Sequence, residues 1–284
     1  MTQTNFESKN TVPSNMTQVG IITKYALLDY IRSRRFLIML IITGLVSVLL
    51  TVLVGVYRPV GFVSSELGFY SSWWGTSVTF VIILSGIFFG GDAISGEFQN
   101  KTGYYGVPNP IRRSSIYIGK WLAAFTASIA ILGVFTVVTL GNGLYYFSGV
   151  PIEFAESLLF AVLYLVAVLG FTFFFSSLFK SSSMSILLTA ILFLFVFTLI
   201  QQLVAGLVQI EPWFILTYGS QIIGNVLTSP YPPHVATTTL GPGGNGLSIT
   251  TYSATIPEGI AIMAIYFAIT AIAGLILFER REFT

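Results

Sequence analysis

The chain contains no cysteine, and only 8% of its 284 residues are charged. The absence of cysteine excludes disulfide bonds, thiol nucleophiles and thiolate metal sites. A soluble domain usually carries about 25% charged residues, whereas 54% of this chain is hydrophobic and its mean hydropathy is +0.84. The composition therefore indicates an integral membrane protein. Its net charge of +2 is too small to favour nucleic acid as a partner.

Histidine is almost as scarce, because His234 is the only one in the chain. It lies in a long loop, so neither a catalytic histidine inside the membrane nor a zinc site is expected, and we interpret it as a solvated loop residue. Glu211 and Glu258 are interpreted in the same way, as charges at span ends or in loops. No catalytic residue and no metal ligand is predicted.

Six apolar runs are each close to the roughly 20 residues that a membrane-spanning helix requires. They cover residues 36–56, 73–89, 121–140, 158–179, 184–208 and 260–278. The predicted fold is an all-α membrane protein with six transmembrane helices in one domain, residues 17–284. The polar residues 1–16 are expected to be disordered, and an interfacial helix from about Thr17 leads into the first span. That span is too long for a signal peptide and is expected to remain a membrane helix.

Positive charge is distributed unequally between the two sides of these spans. When both termini lie on one side, every Lys and Arg except Arg58 falls on that side. The positive-inside rule therefore places both termini in the cytoplasm and the loop 209–259, which contains no Lys or Arg, outside the cell membrane. The basic residues predicted to anchor the cytoplasmic side include Arg32, Arg34, Arg35, Arg113, Lys120, Arg280 and Arg281.

Two outer features are less determined by the sequence. The loop 209–259 is expected to be either a small external structure or mobile, and its aromatic first part favours a short re-entrant helix. Gln201 and Gln202 lie in the fifth span, where they either line a substrate path or hydrogen-bond a neighbouring helix.

The densest run of charge is residues 90–120, between the second and third spans, which we name the coupling segment. Its residues Asp92, Ile94, Ser95, Gly96 and Glu97, followed by Thr102, Pro110, Arg113 and Gly119-Lys120, resemble the permease subunits of ABC-2 type transporters. The stretch from Lys24 to Leu37 resembles the interfacial helix of that family, and residues 278–283 resemble its basic tail. Two positions depart from the pattern, since Gln99 replaces an acidic residue and Lys101 replaces a glycine.

The resemblance implies a type V exporter-like permease fold that joins a second permease, identical or related, and docks on separate ATPase subunits, two of them expected. ATP and Mg²⁺ would be bound by those partners and no cofactor by this chain. It further implies that the ATPase-coupling residues are Asp92, Ser95, Gly96, Glu97, Gln99, Lys101 and Thr102. Glu97 is expected to cap a helix or pair with a basic residue. The arginines at 32, 34 and 35 are expected to contact the ATPase or anionic lipid, or only to anchor the chain.

Two other functions compete with this interpretation. A channel or secondary transporter without an ATPase partner is one, although no span carries a charged residue at its centre for a proton or ion path. An intramembrane enzyme acting on lipid or peptide is the other, and it would need converging acid, base or metal ligands within the spans. The chain itself has no nucleotide-binding loop, because residues 241–246 are not followed by Lys and Ser or Thr.

Overall fold

The protein, described by a computed structural model over residues 14–99, 112–240 and 247–281, is a bundle of long helices. Its helices are α1 (Asn15–Arg32), α2 (Arg34–Tyr57), α3 (Val60–Val63), α4 (Glu66–Tyr70), α5 (Thr76–Gly90), α6 (Ser95–Gln99), α7 (Arg113–Phe147), α8 (Ile152–Leu178), α9 (Ser182–Ile191), α10 (Phe197–Leu203), α11 (Leu216–Gly219), α12 (Ile222–Asn225) and α13 (Ile256–Arg280). Three π-helical turns occupy Ser71–Gly75, Leu192–Val196 and Val204–Val208. One antiparallel hairpin, β1 (Val235–Leu240) with β2 (Leu247–Tyr252), completes the described elements.

Six helical stretches of the described residues are long and apolar enough to cross a membrane, which confirms the predicted number of spans. They are Arg34–Tyr57, Glu66–Gln99, Arg113–Phe147, Ile152–Leu178, Ser182–Gly206 and Ile256–Arg280. Most are longer than the apolar runs, because polar residues at the ends continue the helix beyond the hydrophobic part. The third span, for example, begins at Arg113 and not at Trp121.

The N-terminal helix α1 begins at Asn15, two residues before its expected start. The Ser14 hydroxyl accepts a hydrogen bond from the Thr17 N–H at 3.3 Å, which is the usual way to satisfy a donor at a helix start. Residues 1–13, which form most of the predicted disordered terminus, lie outside the described residues. The helix packs along the first part of α7, so contacts with the bundle hold α1 in place.

The centre of the bundle is α8, which packs against α5, α7 and α13. The approach of α5 is close because glycine faces α8: a Cβ at Gly90 would lie 2.1 Å from Thr172 Oγ1. By contrast, the most apolar windows of α2, of the fifth span and of α13 are only 22%, 17% and 22% buried. These three helices therefore present apolar faces to lipid or to another membrane chain.

The two ends of the bundle differ. The end of α5, with α6 and the starts of α2 and α7, forms what we call the basic end. The other end, which we call the opposite end, carries α3, α4, α11, α12 and the hairpin. There the first part of the loop 209–259 forms two single-turn helices, in which Leu216, Ile222 and Ile223 are fully buried, and whether they re-enter the membrane stays a prediction.

Candidate functional site

At the basic end, the short helix α6 is attached to α8 through Ser176. The Ser176 hydroxyl accepts hydrogen bonds from the N–H groups of Ile94, at 2.9 Å, and Ser95, at 3.0 Å. The first N–H groups of a helix have no partner within the helix, and here a neighbouring helix supplies the acceptor. All three residues are fully buried, so the position of α6 relative to α8 is set by these bonds.

Removing this acceptor is expected to destabilise the basic end. Ser176→Ala leaves two buried N–H groups without a partner, and each such group costs about 1–3 kcal/mol. The matched control is Ser177→Ala, because the Ser177 hydroxyl donates only to the Phe173 carbonyl of its own helix. Thermal unfolding in detergent should show a lower midpoint for Ser176→Ala than for Ser177→Ala. Equal midpoints would mean that Ser176 does not hold α6.

Two ion pairs fix the turn that precedes α6. Arg35, in the first turn of α2, contacts the Asp92 carboxylate at 2.5 Å. Lys120, in α7, pairs with Glu97 and also donates to the Ala93 carbonyl at 2.9 Å. The Lys120 and Glu97 side chains are only 19% and 23% exposed, so water screens this pair less than an ordinary surface pair. Asp92 and Glu97 therefore bind the α6 region to the first and the third span. Glu97 pairs with a basic residue, as expected.

The last residue of α6 contacts the start of the fifth span. The Gln99 side-chain oxygen accepts a hydrogen bond from the Ser182 N–H at 2.7 Å. Ser182 is the first residue of α9, whose own N-cap residue provides no side-chain hydrogen bond. The departure from the family pattern at position 99 therefore keeps an acceptor, because a glutamine oxygen satisfies a helix N-terminus as a carboxylate would.

Two arginines tie the ends of helices together at the same end. Arg113 donates to the carbonyls of Phe278, at 3.5 Å, Glu279, at 3.0 Å, and Arg281 at the end of α13. Arg281 donates to the Ser177 and Phe179 carbonyls and lies 4.7 Å from the centre of the Phe98 ring. Partial burial lowers the pKa of Arg281 from its usual value, yet the guanidinium stays charged. Unpaired carbonyls at a helix C-terminus favour such cations.

A cleft of about 410 Å³ separates α1 from the coupling segment, and charged groups line it. Asp29 of α1 faces the two ion pairs across this cleft. Tyr30 closes one side, where its hydroxyl donates to the Phe89 carbonyl at 2.8 Å. Burial, followed by the Asp92 carboxylate, raises the pKa of Tyr30, so this donor stays protonated.

The predicted coupling residues divide into groups. Asp92, Ser95, Gly96, Glu97 and Gln99 lie together on and before α6. Lys101 and Thr102 lie outside the described residues. Among the predicted basic anchors, Arg35, Arg113, Lys120 and Arg281 bind protein groups, whereas Arg32, Arg34 and Arg280 are exposed.

One helix boundary differs from the predicted one. The sequence predicts that the third span begins at residue 121, directly after Gly119-Lys120, but α7 begins at Arg113, so the pair lies inside the helix. Gly119 is where α1 crosses α7, and a Cβ there would lie 2.7 Å from Ile22 Cγ2. The Thr23 hydroxyl also donates to the Gly119 carbonyl at 3.2 Å. The glycine serves helix packing and not helix initiation.

The comparison with protein families supports the resemblance that the sequence shows. The family model described as ABC-2 family transporter protein matches residues 7–283. The chain belongs to the ABC-2 transporter family. No match was found among curated proteins. This ABC-2 family member is thus a multi-pass membrane protein and a permease subunit of an ABC transporter, and its family associates with ABC ATPases.

At its opposite end the ABC-2 permease has a cavity of about 660 Å³, which we call the polar cavity because most of the residues that line it are Ser, Thr, Gln or Asn. Gln201 and Gln202 both line it, together with Gln221, Asn225 and part of β2. The Gln201 side-chain oxygen accepts a hydrogen bond from the Thr217 hydroxyl at 2.9 Å, so this residue also contacts a neighbouring element. Both alternatives weighed for Gln201 are therefore compatible with its position.

Beside this cavity the ABC-2 permease brings together its only histidine and two glutamates. His234 Nε2 lies 3.4 Å from Glu211 Oε2, and His234 Nδ1 lies 3.1 Å from the Ser253 carbonyl and 3.8 Å from Glu258 Oε2. His234 does lie in a loop, and 39% of its side chain is exposed, but its ring stands between two carboxylates, which the sequence does not predict. The three residues are more than twenty positions apart from one another in the sequence, and no local motif predicts that they lie together.

Hydrogen bonds orient each glutamate of this cluster. The Tyr218 hydroxyl donates to Glu211 Oε1 at 2.7 Å, and the Thr255 N–H donates to Glu258 Oε2 at 2.9 Å in a capping box at the start of α13. Burial, together with the bond to Glu211, raises the pKa of Tyr218, so its hydroxyl remains a donor. One ligand atom from each of Glu211, His234 and Glu258 lies within 4.8 Å of the other two.

Proposed function

We propose that this chain is the permease of an ATP-driven exporter in the cell membrane and that its coupling segment receives the movement of separate ATPase subunits. ATP and Mg²⁺ are bound and used by those partners. Both termini and the basic end face the cytoplasm, as the positive-inside rule requires. Export follows from the prevalent direction of the family that the coupling segment resembles.

The observation that carries this proposal is the number of elements bonded to one short helix. The α6 region contacts α2 through Asp92, α7 through Glu97, α8 through Ser176 and α9 through Gln99. A force applied to α6 therefore acts directly on four helices, which belong to the first, third, fourth and fifth spans. Coupling between an ATPase and a membrane path needs such a contact, whose position differs between two states.

Two further features support a paired permease with a substrate path. The apolar, mostly unburied faces of α2, the fifth span and α13 suit contact with lipid and with a second permease, either identical or related. The polar cavity beside Gln201 and Gln202 provides an outer portion of the path. A channel or secondary transporter without an ATPase partner is disfavoured, because the family to which the chain belongs associates with ABC ATPases.

The direct test is purification with a partner. We expect the full chain, co-expressed with an ATP-binding cassette subunit from a neighbouring reading frame, to yield a stable complex in lipid nanodiscs that hydrolyses ATP. A mass measurement gives the number of each subunit, with two permeases and two ATPases expected. A permease that transports while no ATPase subunit is present would contradict the proposal.

The orientation has its own test, which the absence of cysteine makes simple. Lys180 follows α8 at the basic end, and Val60 begins α3 at the opposite end, where it is 83% exposed. In intact cells, a membrane-impermeant maleimide should label Val60→Cys and not Lys180→Cys, and permeabilisation should expose both. The reverse pattern would show that the basic end faces outwards.

A further inference from the structure

We propose that Glu211, His234 and Glu258 form a binding site for a divalent transition-metal ion, with Zn²⁺ as the fitting probe. The site lies at the opposite end of the bundle, away from the coupling segment. It depends neither on an ATPase partner nor on the orientation of the chain in the membrane, so it can be tested separately from the proposed function.

The first argument is the distance between the ligand atoms. In a tetrahedral zinc site with bonds of about 2.1 Å, ligand atoms are about 3.4 Å apart. His234 Nε2 and Glu211 Oε2 already lie 3.4 Å apart, and all three residues offer a ligand atom within 4.8 Å of the others. A contraction of up to about 1.4 Å in the longest separation, within the reach of side-chain rotation, completes the set.

The second argument is the orientation of the His234 ring. Its Nδ1 lies 3.1 Å from the Ser253 carbonyl, which can only accept, so Nδ1 is the donor of this contact. Nε2 then faces Glu211 Oε2 at 3.4 Å, a position in which a metal ion can replace a proton between the two atoms. A ligating histidine commonly donates its other ring N–H to a backbone carbonyl in this way.

The third argument is that both carboxylates are oriented by donors outside the cluster. The Tyr218 hydroxyl holds one oxygen of Glu211, and the Thr255 N–H holds one oxygen of Glu258. Glu211 Oε2, which faces His234, stays available to an ion, and Glu258 Oε2 keeps a second lone pair beside the bond from Thr255. This support reduces the ordering that binding requires. With Glu211 and Glu258 24% and 39% exposed, water reaches the site to fill a further position.

The ligand types select the metal. One imidazole with two carboxylates suits Zn²⁺, whereas Mg²⁺ and Ca²⁺ prefer sets made of oxygen only. The bound ion would join the segment after the fifth span, the residue before β1 and the first turn of α13. It would thereby fasten the hairpin to the two spans that flank it in sequence.

The experiment measures Zn²⁺ binding to the full-length chain in detergent by competition with a chromophoric chelator. Any polyhistidine tag is removed first, since His234 is the only natural histidine. We expect one Zn²⁺ per chain, not displaced by excess Mg²⁺ or Ca²⁺. His234→Ala, Glu211→Gln and Glu258→Gln should each weaken binding at least about tenfold. Glu258→Gln keeps an oxygen for the Thr255 N–H, so it tests ligation with the helix cap retained.

The matched control is Glu66→Gln, which removes a glutamate of the same end, in the first turn of α4, without touching the cluster. Its zinc affinity should equal that of the wild type. Zn²⁺ should also raise the thermal unfolding midpoint of the wild type and leave that of His234→Ala unchanged. Absence of binding at micromolar free Zn²⁺, equal affinity in His234→Ala, or an equal loss in Glu66→Gln would each overturn the proposal.

Discussion

Replacement of Glu97 with Lys is expected to reduce ATP turnover by the permease–ATPase complex at least about tenfold while membrane insertion stays normal. In the wild type, Lys120 pairs with Glu97 and donates to the Ala93 carbonyl. The substitution sets two ammonium groups against each other beside the start of α6. Loss of a pair that is mostly shielded from water costs roughly 2–4 kcal/mol, which is between exposed and buried pairs. We expect α6 to leave its position and the ATPase to dissociate, so that the ATP turnover of the complex is lost.

The charge-reversed double variant separates two explanations of that loss. Glu97→Lys with Lys120→Glu restores opposite charges between α6 and α7, so it should recover most of the activity if Glu97 acts by holding α6. Co-purification with the ATPase and ATP turnover in nanodiscs are measured for both variants. Normal association and turnover in Glu97→Lys alone would refute the assignment of the coupling segment. An inactive double variant would show that opposite charges at these two positions do not suffice, as expected if Glu97 contacts the ATPase or if the Lys120 bond to the Ala93 carbonyl is needed.

Replacement of Gly119 with Leu is expected to detach α1 from the bundle. A Cβ at this position would lie 2.7 Å and 2.8 Å from two atoms of Ile22, and 3.2 Å from the Val19 carbonyl. The backbone carbonyl cannot move aside independently of α1, so the two helices must separate. Overpacking of this kind costs typically about 1–3 kcal/mol, and the Thr23 hydrogen bond to the Gly119 carbonyl is lost as well. Trypsin should then cleave rapidly after Lys24, which is exposed in the middle of α1.

The matched control lies on the same helix. A Cβ at Gly133 meets nothing within 4 Å, so Gly133→Leu introduces the same side chain without a clash. Both substitutions carry the same gain in helix propensity, and their difference therefore isolates the contact with α1. We expect Gly133→Leu to cleave at the wild-type rate and to keep its ATPase partner. Wild-type protease resistance in Gly119→Leu would mean that α1 tolerates the larger side chain.

The number and order of the spans were predictable from the sequence because a bilayer imposes a length of apolar residues that needs no knowledge of packing. Helix ends were less predictable for the same reason. Residues 113–120 lie outside the apolar run, yet they are helical. Hydropathy indicates where a helix meets hydrocarbon, but it does not indicate where the hydrogen bonds of the helix begin. The side of the membrane that the basic residues face stays a prediction, which rests on all but one of them sharing one side of the spans.

The partners of individual side chains could not be predicted. Asp92 meets Arg35 and Glu97 meets Lys120, but any acid of the coupling segment could have paired with any nearby base on sequence grounds. The cluster of Glu211, His234 and Glu258 was still harder to predict. The spacing of these residues matches no local metal motif, and only the fold of the loop brings them together. Pairing of this kind depends on tertiary geometry, which composition and periodicity do not encode.

The π-helical turns of the fifth span have a consequence for how it moves. Each turn contains one residue more than an α-helical path would need, and the span has such turns at Leu192–Val196 and Val204–Val208. Tightening either turn into α geometry swings every residue beyond it by about 100° around the axis. Gln201 and Gln202 lie between the two turns, so a screw-like slip at the first would carry them out of the polar cavity while the helix stays wound.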